Sequence, residues 1–196
     1  MKAFKNFILI FFVRDQWTPK GPAKDIWRNN FKDYHQTDLG AGLLILSRNK
    51  ILKTISKGGD KDLRHIAVRL DIDGKPWNVL LVDIMHAPWH SRKGAFTKIS
   101  KLIDQLNDLP LVILGDFNTP LDSAYIEIIR NKNMKEVFEN VGQDWQISWS
   151  TSKPVLCIDQ LWVNNKIEPR TAIFEWTSVS DHLPLTVTVE PKKEAK

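Results

Sequence analysis

Four short segments carry side chains able to do hydrolytic chemistry. The apolar run Leu111-Val112-Ile113-Leu114 passes directly into Gly115-Asp116-Phe117-Asn118-Thr119-Pro120. Asp116 offers a carboxylate that can orient or deprotonate a water, and Asn118 a neutral amide that can donate to an anionic oxygen without adding repulsion. Gly115 lets the chain turn tightly ahead of them. An Asx-type turn closing a strand accounts for the same residues, since Asp, Asn and Pro all favour it. Near the C-terminus, Val179-Ser180-Asp181-His182-Leu183-Pro184-Leu185 sets an acid beside an imidazole. Such a pair can divide labour, the carboxylate ligating a hard cation and the ring handling protons or a developing oxyanion. A capped turn with a hydrogen-bonded His is the alternative. In Cys157-Ile158-Asp159-Gln160-Leu161-Trp162-Val163 one acid, Asp159, lies inside an apolar strand. Buried without a partner it would cost several kcal/mol, so it requires one, and a protonated His is suitable. The fourth segment, Met85-His86-Ala87-Pro88-Trp89-His90-Ser91-Arg92, follows the apolar run Val79–Ile84.

These groups need rigid elements behind them. Strand-like runs occur at Phe7–Val13, Leu43–Ser47, Ile66–Leu70, Val79–Ile84, Leu111–Leu114, Ile158–Val163, Ala172–Trp176 and Leu185–Val189. Ile66, Val68 and Leu70 alternate with other residues, as in a strand buried on one face. Val79-Leu80-Leu81-Val82 is continuously apolar and predicts a strand covered on both faces. Asp73-Gly74 between these runs predicts a hairpin. Ala95, Ile99, Leu102, Ile103 and Leu106 recur at helical spacing over 95–108, with Lys98, Lys101, Asp104 and Gln105 outward. A second helix carries Ile126, Ile128 and Ile129, with Asp122 or Ser123 as its cap. Most neighbouring strands lack an intervening helix, which predicts a mixed, largely antiparallel α/β domain.

Composition narrows the class. The 196 residues are 42% apolar and 26% charged, which excludes collagen-like, coiled-coil and mostly disordered chains. We expect a single domain over residues 1–190 and a polar tail over 191–196. The lone Cys157 excludes an intrachain disulfide framework and a Cys-based zinc cluster. Residues 1–64 hold 13 Lys/Arg against 6 Asp/Glu, whereas residues 65–196 hold 15 against 17. A basic face beside an acidic pocket suits an anionic substrate met through a metal ion, although surplus surface Lys explains the same pI. The run Phe7–Val13 after Lys2 and Lys5 is short, lacks a small-residue cleavage site and is met at once by Arg14-Asp15. A buried strand, and with it a cytoplasmic location, is favoured over a secretion signal spanning Lys2–Val13.

Taken together, Gly-Asp-Phe-Asn-Thr-Pro, the Ile-Asp strand and Ser-Asp-His-Leu-Pro-Leu resemble the endonuclease/exonuclease/phosphatase superfamily in order and spacing. His86 falls where many members carry a strand-end His. Gly42-Leu43-Leu44-Ile45-Leu46-Ser47-Arg48 is similar to an early family strand, and Ser148-Trp149-Ser150-Thr151 to a later segment. Coverage runs from about Gly40 to Val189. The resemblance implies a four-layer α/β sandwich of two packed mixed sheets and metal-dependent phosphoester hydrolysis with Mg²⁺ or Mn²⁺. It gives Asp116 the attacking water, Asn118 the phosphoryl group, His182 the transition state and Asp159 the orientation of His182. Asp181 becomes a metal ligand, and His86 a phosphate contact or proton donor near the leaving group.

The N-terminal part departs from the pattern. Family members open with a strand ending in Asn and then one ending in Gln-Glu, whereas 39 residues precede Gly40 here. Phe7–Val13 stands where the Glu strand belongs. Asp15 then replaces Glu as a metal ligand, or is a simple surface acid, and Asn6 is a poor substitute for the usual Asn. A missing first strand predicts an exposed sheet edge, covered by the chain itself or by a second copy in a homodimer. The basic N-terminal third, with Trp17, Trp89, Arg92 and Trp149 near the motif loops, favours nucleic acid as partner, DNA first and RNA second. Arg92 and Trp149 are the expected substrate contacts. A lipid or small-molecule phosphoesterase and a non-catalytic phosphate-binding descendant are the alternatives. No amphipathic basic helix or exposed hydrophobic hairpin stands out in the sequence, so no stable membrane association is expected.

Overall fold

The computed structural model describes residues 29–40, 43–85, 91–153, 155–178 and 180–193. The expected strand Phe7–Val13, with Asn6, Asp15 and Trp17, lies outside them, as do His86 and Trp89. The main scaffold is a six-stranded mixed sheet in the order β3-β4-β5-β6-β9-β7. Its strands are β3 (Ile51–Gly59), β4 (Leu63–Ile72), β5 (Lys75–Ile84), β6 (Leu111–Asp116), β7 (Lys135–Glu136) and β9 (Asp159–Val163). A three-stranded sheet joins β11 (Leu185–Pro191), β10 (Ile167–Phe174) and β8 (Gly142–Gln143), and β1 (His35–Gly40) pairs with β2 (Leu43–Ser47). The helices are α1 (Lys93–Leu106) and the short α2 (Glu127–Arg130) and α3 (Val137–Val141). The architecture is the mixed α/β one that the strand runs predict. Among the described residues no helix is long and apolar enough to cross a membrane.

The large sheet is buried on both sides. Leu80, Val82, Ile84, Leu111 and Ile113 face Phe96, Ile99 and Ile103 of α1 and Ile126 and Ile129 around α2. Val79, Leu81 and Val112 face the other way, against Leu43 and Ile45 of β2 and Ile167 and Ala172 of β10. The continuous apolar run in β5 thus serves two cores at once, which is why it lacks alternation. The hairpin between β4 and β5 turns at Asp73 (φ 52°) and Gly74 (φ 77°), two left-handed residues in succession, as a type I′ turn demands.

Three elements differ from expectation. β3 is absent from the apolar runs because it is the outermost strand of its sheet among the described residues and carries Lys53, Thr54, Ser56 and Lys57. Such lysines discourage edge-to-edge pairing. α2 is a single turn with Ile126 at its N-cap and no side-chain cap bond, so neither Asp122 nor Ser123 caps it. β1 is built from His35-Gln36-Thr37-Asp38, a polar stretch without strand periodicity.

Candidate functional site

Strand register places four ionisable residues in one row. Arg64 of β4 pairs with Asp83 of β5, Asp83 with Asp116 of β6, and Asp116 with Asp159 of β9. Paired positions project from the same face, so the row crosses the sheet where β5 and β6 end, on the face that further down packs Val79, Leu81 and Val112. Adjacent strands lie about 4.8 Å apart, and three neighbouring carboxylates repel unless each is compensated. Asp83, 3% exposed, accepts from the Arg64 Nε at 2.8 Å and pairs with its Nη2 as well.

Asp116 is fully buried and is held by Asn118. The Asn118 backbone N–H donates to Asp116 Oδ1 at 2.8 Å, and its Nδ2 donates to Asp116 Oδ2 at 2.8 Å and to the Ile84 carbonyl at 2.7 Å. Asn118 reaches both because it is left-handed (φ 44°), a conformation Asn tolerates. Gly115 makes the approach feasible: its φ is 138°, and a Cβ there would sit 1.9 Å from the Val82 carbonyl oxygen. Both Asn118 side-chain N–H groups are therefore taken, one by Asp116 and one by the Ile84 carbonyl, so the phosphoryl contact that the resemblance implies requires one of these bonds to be given up.

Asp159 has the partner its burial requires. Its Oδ2 lies 2.7 Å from His182 Nδ1, an ion pair when the ring is protonated. His182 Nε2 is buried and makes no hydrogen bond, leaving it for a water or a substrate oxygen. Burial opposes the charged imidazole, but the hydrogen bond and charge of Asp159, with Asp116 and Asp181 behind, hold the ring above its ordinary pKa. Ser148 builds the mount for this pair: its buried Oγ accepts from the backbone N–H groups of Ile158 and Asp159, each at 3.0 Å, and its carbonyl accepts from Leu183 N at 2.8 Å.

The remaining expected residues are placed as follows. Asp181 is exposed at the rim, where its backbone carbonyl accepts from Thr151 N at 3.0 Å and its charge acts on His182. Trp149 is half-buried and its backbone bridges both Leu156 and His182. Arg92 precedes α1, donates from Nη1 to the Met85 carbonyl and feels the charge of Asp116; burial holds its pKa below the ordinary guanidinium value. The register-dependent pair Arg64–Asp83 escaped sequence reading; Ser148 was visible only within its segment, without a role.

The site suits a hard cation: carboxylate oxygens of Asp116 and Asp159 lie within 4.8 Å of one another and of a ring nitrogen of His182. A hard divalent cation takes oxygen donors of this kind, with the His182 ring, held by Asp159, beside it.

The profile of the Endonuclease/Exonuclease/phosphatase family matches residues 9–182. No curated protein matches the chain in sequence. A family protein from Bacteroides thetaiotaomicron is 16% identical with a TM-score of 0.68, covering 85% of this chain and 78% of its own. Humanized D. rerio TDP2 is 12% identical with a TM-score of 0.71, over 85% of this chain and 80% of its own. A mannosyl-6-phosphatase from Bacteroides thetaiotaomicron is 16% identical with a TM-score of 0.61, over 81% and 76%. At these identities the likeness establishes the fold, and the profile match establishes the lineage. With Asp116, Asn118, Asp159 and His182 gathered at the ends of its strands, the chain belongs to the Endonuclease/Exonuclease/phosphatase family.

Proposed function

We propose that this protein is a divalent-cation-dependent phosphodiesterase acting on nucleic acid, DNA first and RNA second. The observation that carries the chemistry is the buried, unbonded His182 Nε2, aligned through Nδ1 by Asp159 beside the Asp116 carboxylate. Asp116 takes the proton of the attacking water while Asn118 holds the carboxylate in place. The water oxygen bonds to phosphorus, the ester bond to the leaving oxygen breaks, and His182 Nε2–H donates to the phosphoryl oxygen on which charge accumulates. Asp159 keeps the ring protonated and oriented. Asp116 and Asp159, with Asp181 at the rim and Asp15 from the N-terminal part, would hold the cation, which supplies charge neutralisation to the phosphoryl oxygens. His86 retains its role near the leaving group as an expectation from the family motif.

The preference for nucleic acid rests on the basic balance of residues 1–64, 13 Lys/Arg against 6 Asp/Glu, to which the exposed Lys57 and Lys61 near the Arg64 end of the charged row contribute. Hydrolysis of plasmid DNA and of a generic phosphodiester with Mg²⁺ or Mn²⁺, against EDTA, tests the proposal. Cleavage of both substrates only with the cation supports it. Cleavage of the generic diester alone leaves a small-molecule phosphoesterase, and cleavage of neither overturns the catalytic reading.

A further inference from the structure

Glu136 stands apart from the reacting groups yet is tied to the segment that seats them. It lies in β7 opposite Trp162 of β9 and is 2% exposed. Its Oε2 accepts from the Glu139 N–H at 2.7 Å, which caps α3, and from Gln146 Nε2 at 3.1 Å. Its Oε1 is buried and makes no hydrogen bond. Capping a helix requires no such depth, since short exposed side chains do it. A buried carboxyl with one oxygen stranded needs another explanation.

The bond to Gln146 supplies one. Two residues further on, Ser148 Oγ accepts from the Ile158 and Asp159 N–H groups at 3.0 Å each, and the Ser148 carbonyl accepts from Leu183 N at 2.8 Å. Asp159 in turn holds the His182 ring at 2.7 Å. Residues 146–148 are therefore a strap, fixed at one end by Glu136 and seating Asp159 and His182 at the other.

The charges around Glu136 favour its neutral form. Glu139 on α3 adds repulsion, and its carboxylate is paired with Arg130 of α2 at 2.6 Å. Cys157, ahead of β9, is a neutral thiol, held so by burial and by the charges of Glu136, Asp159 and Glu139. Lys135 is the exposed neighbour in β7, turned to the other face by strand alternation, and Asp144 is exposed ahead of the strap. The N–H groups of Glu139, Phe138 and Leu161 favour the anion, but burial outweighs them and pushes the carboxyl up to about 7.

Resting on the phosphodiesterase reading above, we propose that Glu136 is a positioning residue that makes the site pH-sensitive. Its neutral carboxyl keeps the strap closed under Asp159 and His182, and loss of its proton to solvent releases the strap and slows turnover. An ionised carboxylate with one oxygen unbonded gains by reaching water, and it reaches water only by parting from its buried partners. No residue of the strap touches the substrate; the effect travels through the Ser148 bonds that fix where Asp159 begins β9.

The test compares the wild type with Glu136→Gln and Gln146→Ala. An amide at position 136 keeps both acceptor bonds through its oxygen and cannot ionise. With bis(p-nitrophenyl) phosphate in Mg²⁺, the ratio of wild-type to Glu136→Gln kcat should be near one at pH 5.5 and at most ~0.1 at pH 8.5, with KM alike, since small misplacements of a reacting group cost this much or more. The His182 ring titrates in both proteins, so its own effect cancels in the ratio. Gln146→Ala should lower kcat about tenfold at pH 6 with circular dichroism unchanged. By NMR without divalent cation, the Ile158 and Asp159 amide protons should move upfield across pH 7 as their bonds to Ser148 lengthen, and should move less in Glu136→Gln. In Gln146→Ala they should stand upfield already at pH 6. A kcat ratio flat with pH, an undiminished kcat in Gln146→Ala, or amide protons that move alike in the wild type and Glu136→Gln, overturns the strap and leaves the phosphodiesterase reading standing. If no phosphodiester is cleaved at any pH, that reading falls and the amide shifts alone decide the strap.

Discussion

Asp116 and Asp159 face each other across β6 and β9 as a register pair, yet their carboxylates are held by different kinds of group. Asp159 bonds to the His182 ring, whereas Asp116 takes two hydrogen bonds from the neutral Asn118. One acid is thus tied to a proton carrier and the other stays an acceptor, which separates the two roles that phosphoester hydrolysis requires.

The Asp159–His182 pair should be visible by titration. In the wild type the His182 imidazole titrates above its ordinary value, and Asp159→Asn should lower it. A raised folded-state pKa stabilises the fold at pH below the unfolded value, and that contribution fades as pH rises through the folded value. Asp159→Asn should therefore remove stability at pH 5 and little at pH 9. NMR titration of the ring together with melting at both pH values checks this.

Ser148→Ala removes one acceptor shared by two buried backbone donors, Ile158 N and Asp159 N. The expected loss of stability is about 2 kcal/mol, in the range for unsatisfied buried donors. Because the same oxygen fixes where Asp159 starts β9, turnover should fall while KM stays nearly constant. Urea unfolding and steady-state kinetics on one preparation separate the two effects.

Arg64 and Asp83 should behave as a unit. Arg64→Met strands the buried Asp83 and should cost about 3 kcal/mol, whereas Arg64→Met combined with Asp83→Leu should recover much of it. A double-mutant cycle by chemical denaturation measures the coupling. Additive losses would show that the pair is not energetically linked.

Glu136 gives a pH dependence of opposite origin. It is 2% exposed, its Oε2 accepts from Glu139 N at 2.7 Å, and its Oε1 is buried without a partner. Burial pushes its carboxyl up to about 7. The folded state therefore holds a proton that the unfolded chain has lost, and stability falls as pH rises between the ordinary carboxylate range and about 7. Glu136→Gln removes this loss. It should be nearly neutral at pH 5 and more stable than wild type at pH 8, by about 3 kcal/mol, as melting at the two pH values will show.

What the sequence disclosed depended on how local each signal was. Gly115-Asp116 and Asp181-His182 announce themselves because an apolar run ends in reactive side chains within a few residues. The partner of Asp159 could be argued in advance, since a buried acid needs a cation and His182 is nearby in motif order. Arg64–Asp83 could not, because the pair depends on a register that joins residues through a hairpin. Ser148 acts through backbone groups of another segment, so nothing in its own neighbours marks it. β3 was missed because an exposed edge strand of Lys, Thr, Ser and Gly carries no buried face to produce alternation.

The most direct test is hydrolysis of bis(p-nitrophenyl) phosphate in Mn²⁺ by wild type, Asp116→Asn and His182→Ala, each confirmed folded by circular dichroism and repeated in EDTA. The account predicts cation-dependent turnover in the wild type and a fall of at least ~10²-fold in each variant, the lower end for a general acid–base group. Turnover in His182→Ala equal to the wild type, or wild-type turnover unaffected by EDTA, would contradict it.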